Sequence, residues 1–268
     1  MSIRGVLFDV DDTLFDYSGS EEAGILAHLG ESGLLGRFGS PGAAVAVWRE
    51  VMEGSYARFL AGELTFRGQQ EERVRRFLAR LGEGGAELLS DEEAGAWFAG
   101  YAAHRDRVRA AFPDAAPVLA ALAPTHRLGI VSNSSTGHQR AKLEAVGLLG
   151  YFGDAVLVCS DEHGEAKPAP GIFRAGCERL GLAPHEVAYV GDKYDLDALG
   201  ARDAGLRAFW LDRAATGTPV GERIGVLHSL ADLPAALGAA PVASAVAAPV
   251  ASAVAGPVGG AVAGPVGG

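Results

Sequence analysis

Apolar residues along this chain fall into two spacings, and the switch between them outlines the fold. Short unbroken runs recur at "IRGVLF" (3–8), "LGIVS" (128–132), "AVLVC" (155–159), "VAYV" (187–190) and "RAFWL" (207–211). Each is rich in β-branched or aromatic side chains and bounded by Gly, Asp, Ser or Asn, which predicts buried strands. Helical spacing fills the intervals. "DAAPVLAALA" (114–123) opens on an Asp suited to an N-cap, and "TGHQRAKLEAVG" (136–147) runs from a Thr cap to a Gly stop. "APGIFRAGCERLG" (169–181) and "DLDALGARDAG" (195–205) also end in Gly. Strand alternating with helix predicts a parallel sheet covered on both faces, with ligands at the carboxyl ends of its strands.

Two segments depart from this rhythm. Residues 17–111 carry no strand pattern. They hold amphipathic pieces such as "AAVAVWREVMEGSYARFLAG" and "QQEERVRRFLARLG", separated by glycines, which predicts a helical insertion after the first strand. From 240 onward the chain repeats "APVASAVA" and then decays through "GPVGGAVA" to "GPVGG", with a Pro in each unit and no charge. Frequent Pro breaks helices, and Ala, Gly and Val bury little area, so 239–268 is expected to be a disordered tail.

Composition narrows the functional classes. At 268 residues the chain can bury a sizeable core. Its net charge of −10 argues against a nucleic-acid footprint but not against a phosphate ligand, because a local site can reverse the local field. Cys159 and Cys177 are far apart and match no metal spacing, which predicts reduced thiols in a reducing compartment. "MSIRGVLFDV" has no signal-peptide pattern, and no transmembrane run precedes the tail, so a cytoplasmic soluble protein is expected.

The chemistry gathers at the predicted strand ends. "VLFDVDDTLF" (6–15) places Asp9, Asp11 and Asp12 at the end of the first strand. Like charges so close repel, unless the chain turns and points carboxylates at a hard cation such as Mg²⁺; a solvated acidic turn is the alternative. Ser132 closes the second strand, where its hydroxyl and the backbone N–H groups of the next turn can donate to phosphoryl oxygens. Lys167 follows the third strand in a loop. Gly191 and Asp192 end the fourth, with Asp195 and Asp197 close behind. Singly these are a turn, a helix cap, a surface lysine and an N-terminal acid cluster. Jointly and in this order they describe one rim.

This set resembles the haloacid dehalogenase superfamily of phosphohydrolases over residues 1–16 and about 112–213. Asp9, Asp11 and Thr13 fit its Asp-x-Asp-x-Thr motif, Ser132 the second motif, Lys167 the third, and Asp192 with Asp197 the fourth. The resemblance implies an α/β fold: a Rossmann-like parallel sheet core (1–16 and 112–238) with an α-helical cap (17–111). It further implies a Mg²⁺-dependent phosphatase in which Asp9 attacks phosphorus and Asp11 serves as acid and then base. The metal would rest on the Asp9 side chain, the Asp11 backbone carbonyl and Asp192. Ser132, Asn133 and Lys167 would hold the phosphoryl group, with Thr13 and Asp197 in support. Asp12 and Asp195 are expected as turn or capping residues.

The expected partner is a small phosphorylated metabolite, without nucleic acid or membrane, and the protein a monomer or homodimer. Alternatives are a phosphomutase or dehalogenase of the same superfamily, or a phospho-receiver or binding module without turnover. Asp11 favours phosphate chemistry over carbon–halogen cleavage, which needs no acid. The absence of Lys from 17–111 weighs against phosphonate cleavage through a cap Schiff base. Arg49, Arg58, Arg67, Arg73 and Arg76 are candidates for a second anionic group of the substrate, or else a solvated basic face.

Overall fold

The computed structural model describes residues 2–82, 85–153 and 156–238. The tail expected over 239–268 lies outside the described residues. Six strands form one parallel sheet: β1 (Gly5–Phe8), β2 (Arg127–Ser132), β3 (Leu157–Cys159), β4 (Val187–Gly191), β5 (Arg207–Leu211) and β6 (Ile224–Leu227). Their order is β3-β2-β1-β4-β5-β6. The chain moves outward from β1 through β2 to β3 and then returns to pair β4 on the other side of β1. That reversal leaves a crevice at the carboxyl ends of β1 and β4, where doubly wound sheets bind ligands.

Side-chain alternation assigns the two faces. Val6 and Phe8 enter one apolar cluster with Ile130, Val190 and Phe209, covered by α5 (Ala115–Leu122), α6 (Thr136–Ala145) and α10 (Leu233–Leu237). Leu7 enters the other with Val131, Tyr189 and Trp210. That face is covered by α8 (Pro170–Leu180) and α9 (Leu199–Asp203), and the four-residue α7 (Ser160–His163) follows β3. Gly176 of α8 lies so close to the sheet that a Cβ there would come within 2.7 Å of Leu7 and Val131. Phe15 and Leu14 join the first cluster, which anchors the turn after β1.

The stretch between β1 and α5 is helical throughout its ordered elements: α1 (Tyr17–Glu31), α2 (Pro41–Leu60), α3 (Phe66–Arg80) and α4 (Asp91–Arg107). Each is capped by a side chain of a type suited to the position. Asp16, Ser40 and Thr65 accept from backbone N–H groups one turn on, and Ser90 with Glu93 completes a capping box. Apolar residues at helical spacing, including Val45, Trp48 and Val51 on α2 and Val74, Phe77 and Leu78 on α3, form a third cluster that shares no residue with the sheet. At its centre Trp48 lies edge-on to Phe77, with ring centres 5.1 Å apart. The chain leaves and rejoins the sheet region along one paired strip. Asp16 N–H donates to the Ala110 carbonyl at 2.9 Å, and Phe112 N–H to the Leu14 carbonyl at 3.0 Å.

Several elements differ from expectation. β6 was hidden because Gly225 interrupts its apolar pattern and Val226 is exposed. Ala155 lies outside the described residues, and β3 begins at Leu157. α6 is capped by Ser135, which accepts from His138 N–H, not by Thr136. Asp114 occupies the N-cap of α5 but does not cap it with its side chain. Its carboxylate accepts instead from Arg213, from the Ser229 hydroxyl and from Leu230 N–H, tying α5 to the chain beyond β6. The helix expected over 195–205 opens with a π-helical turn, Tyr194–Ala198. No helix among the described residues is long and apolar enough to cross a membrane.

Candidate active site

Asp9 is the first residue past β1. By alternation it falls on the Leu7 face, toward α8 and the loop before it. Lys167 reaches it from that loop with Nζ 2.7 Å from Asp9 Oδ1. The same ammonium lies 2.7 Å from Asp197 Oδ1 and donates to the Tyr189 hydroxyl at 3.0 Å. Tyr189 in turn donates to Asp197 at 2.9 Å. All four are buried, and Asp197 is 0 % exposed. Asp197 takes this position because β4 ends in Gly191: a Cβ there would run into the Asp197 carboxylate. Lys193 N–H donates to the second Asp197 oxygen at 2.9 Å.

Oxygens of Asp9, Asp192 and Asp197 all lie within 4.8 Å of one another. Burial lifts Asp9 to about 8 against the pull of Lys167, with Asp197, Asp192 and Asp11 adding to the rise. Burial likewise lifts Asp192 to about 6. Asp192 Oδ1 is buried with no hydrogen-bond partner. A hard cation fits this donor set, since carboxylate oxygens are its preferred ligands. Both Asp197 oxygens already accept hydrogen bonds, so Asp197 is better placed to orient Lys167 than to hold an ion.

Asp11 faces another way. Its carboxylate lies 2.6 and 2.8 Å from Lys142 Nζ on α6 and accepts from Gln139 Nε2 at 3.0 Å. Burial alone would raise it, but Lys142 and Gln139 hold it below the usual carboxylate range. Gln139 also donates to Ser132 Oγ at 2.9 Å, so the second strand end and the Asp11 turn share one partner. A metal role for Asp11 therefore falls to its backbone carbonyl, not its side chain.

The remaining expected residues divide. The Asn133 side chain is spent on Lys167: Nδ2 donates to the Lys167 carbonyl at 3.0 Å and Oδ1 accepts from its N–H at 2.7 Å. It shapes the lysine loop and leaves only backbone for a phosphate. Thr13 is buried, but its hydroxyl has no hydrogen-bond partner. Its carbonyl is what is held, by Arg213 at 2.8 Å. Asp12 adopts φ 59° and accepts from Ser18 N–H and hydroxyl at 2.8 and 2.6 Å, securing the start of α1. Asp195 is exposed.

In the helical stretch, Arg49 pairs with Glu21 and Glu22, Arg58 with Glu63 and Glu72, and Arg67 with Glu71. Arg73 is 4 % exposed, hydrogen-bonded to Gln69 and set over the Trp48 and Phe98 rings, so it is no part of a solvated basic face. Both cysteines are free and buried.

Sequence reasoning missed Gln139, Lys142, Tyr189 and Tyr56, whose hydroxyl donates to the Asn133 carbonyl at 2.9 Å across from α2. For two of them a signal existed. Gln139 lies four residues before Leu143 and three before Lys142, spacings that share the inward face of α6.

His138 neighbours this site. It is half-buried, 6.1 Å between ring centres from Phe66, and burial together with Lys142 pushes it down to about 4 from its usual 6.5. The unfolded chain binds that proton below 6.5 and the folded protein only near 4, so stability falls as pH drops through this window. Between pH 7 and pH 5, wild type is expected to lose about 1 kcal/mol more than His138→Phe, after discounting for solvent screening of the ring. Urea midpoints at the two pH values measure the difference.

A sheet reversal that gathers buried carboxylates and a buried lysine near a strand-end hydroxyl defines an α/β enzyme whose side chains suit both an anion and a cation. The chain belongs to the haloacid dehalogenase-like hydrolase family, which it matches over residues 3–205. Phosphoserine phosphatase of Thermus thermophilus is 34% identical over 232 residues, covering 78% of this chain and 88% of that one. Glyceraldehyde 3-phosphate phosphatase of Methanopyrus kandleri is 32% identical over 218 residues, covering 76% and 82%. The solved hydrolase YfnB of Bacillus subtilis, bound to magnesium, shares the fold with a TM-score of 0.67 at 21% identity, covering 88% of this chain and 99% of that one.

Proposed function

We propose that this hydrolase cleaves a small phosphate monoester through an aspartyl-phosphate formed on Asp9. The reading rests above all on one observation: the Asp9 carboxylate sits where the sheet reverses, beside Lys167 and within 4.8 Å of the Asp192 and Asp197 oxygens. An Asp9 oxygen attacks phosphorus as the ester P–O bond breaks. Asp11, which lies ionised against Lys142 in the resting site, must first take up a proton from solvent; it then gives that proton to the leaving alkoxide, which departs as an alcohol. Asp11 then takes a proton from water as the water oxygen attacks phosphorus, and the bond to Asp9 breaks to release phosphate. Lys167 and the Ser132 hydroxyl hold the phosphoryl oxygens.

Asp9, Asp192 and the Asp11 carbonyl would hold Mg²⁺, which when bound neutralises charge on the transferring group. Residues 17–111 act as a cap over the core formed by 1–16 and 112–238. The two phosphatase relatives bear names of small phosphorylated metabolites, which supports that substrate class. The free, buried thiols suit a reducing cytoplasm.

Purified protein with p-nitrophenyl phosphate and a panel of phosphorylated metabolites tests this. Turnover is expected with Mg²⁺, loss with EDTA, and recovery when Mg²⁺ is restored. No turnover of any ester in Mg²⁺ overturns the reading.

A further inference from the structure

α6 turns two polar side chains inward. Gln139 is 0 % and Lys142 5 % exposed, and residues three apart are neighbours on a helix face. Removing an ammonium from water costs several kcal/mol, and well-packed apolar residues at such positions are often neutral or more stabilising. Packing alone therefore gives little reason for this pair. What they grip is specific: Lys142 spans both Asp11 oxygens at 2.6 and 2.8 Å, and Gln139 bridges Asp11 to Ser132 at 3.0 and 2.9 Å. The Lys142 ammonium also lies 5.6 and 5.3 Å from the ring centres of Phe15 and Tyr17, which pack around the same turn. The Asp11 side chain is 33% exposed. Without these contacts it is free to change rotamer on its turn.

We propose that Lys142 and Gln139 are positioning residues for the leaving-group end of the reaction. They hold the Asp11 carboxyl in one orientation toward the departing oxygen. Gln139 links that orientation to Ser132, so the proton donor and the phosphate-holding hydroxyl stay in register. The inference rests on the phosphatase reading above and adds the groups that aim its acid.

Two substrates separate aim from general damage. kcat/KM reports steps up to departure of the leaving group. p-Nitrophenolate leaves without a proton, whereas an alkoxide needs one. For Lys142→Met, kcat/KM on an alkyl phosphate that wild type accepts, compared at each enzyme's own pH optimum because loss of the ammonium also lets the Asp11 carboxyl rise, is expected to fall about 10–100-fold, the range of a misplaced catalytic group. On p-nitrophenyl phosphate it is expected to change less than about 3-fold. Methionine keeps the apolar stem, and the partly exposed Asp11 regains water. Gln139→Met, which keeps the length of the side chain and removes its amide, is expected to move the same ratio in the same direction by less, and it decides the matter if the lysine variant does not fold.

Equal loss on both substrates, or a ratio within about 2-fold of wild type in the folded variants, overturns the proposal while the phosphatase reading stands. A wild type that hydrolyses no phosphate ester ends both.

Discussion

Asp9→Asn is expected to abolish phosphate-ester hydrolysis, lowering kcat by at least about 10⁴-fold, the scale seen when a covalent nucleophile is removed. The substitution keeps shape and removes one thing, the anionic oxygen that bonds to phosphorus. It leaves the fold intact for a reason visible in the site. Burial already disfavours the ionised Asp9, and Lys167 keeps its second partner, Asp197, at 2.7 Å. Thermal melting should therefore sit close to wild type while turnover vanishes. Acid-quenched wild type mixed with labelled substrate should carry phosphate on the peptide containing Asp9, and the variant none. A variant retaining a tenth of wild-type kcat shows that another group attacks phosphorus.

The largest expected stability effect lies one hydrogen bond away in the same network. Lys167→Met removes the cation shared by Asp9 and Asp197, both buried, and leaves two carboxylates facing each other with Asp192 nearby. Breaking a buried ion pair from one side costs about 3–5 kcal/mol, because the remaining charge cannot reach water. Urea titration measures the loss. Mg²⁺ should return part of it, since a cation bound only by the folded state stabilises that state by mass action. A loss under about 1 kcal/mol, insensitive to Mg²⁺, contradicts this account of the network. The two variants thus pull apart what the site combines: Asp9 is expected to matter for chemistry more than folding, and Lys167 for both.

Much of this site was legible in the sequence because strands announce themselves by short apolar runs, and acids or hydroxyls that end such runs must open on one rim. Asp9, Ser132 and Asp192 were found that way, Lys167 only through the resemblance of the whole set to a known family, and the structure brings Asp9, Lys167, Asp192 and Asp197 together. What stayed hidden follows a different logic. Gln139 and Lys142 sit on a helix whose polar residues read as solvated surface, and only the packing of α6 against the sheet turns them toward Asp11. Tyr189 reads as one more strand apolar; its hydroxyl becomes meaningful only when Lys167 arrives from a loop 22 residues earlier and Asp197 from a π-helical turn 8 residues later. Asn133 shows the converse. The family resemblance implied a phosphate ligand there, but hydrogen bonding to the Lys167 backbone claims its side-chain amide. Arg73 lies in a run of charges, yet its helix buries that face. β6 escaped notice because an edge strand with one open face has no unbroken apolar run.

The paired strip at Asp16–Ala110 and Leu14–Phe112 has a consequence for how such a molecule can change. Nearly a hundred residues hang from two adjacent stems, and their apolar cluster borrows nothing from the sheet. Swapping that segment for another of different length disturbs that short ladder and the Ser18–Asp12 and Tyr56–Asn133 hydrogen bonds, and leaves the pairing of β1 with β4 in place. On the phosphatase reading proposed above, new preferences for the alcohol half of a substrate would then come from exchange of a single segment, with the strand-end residues inherited whole.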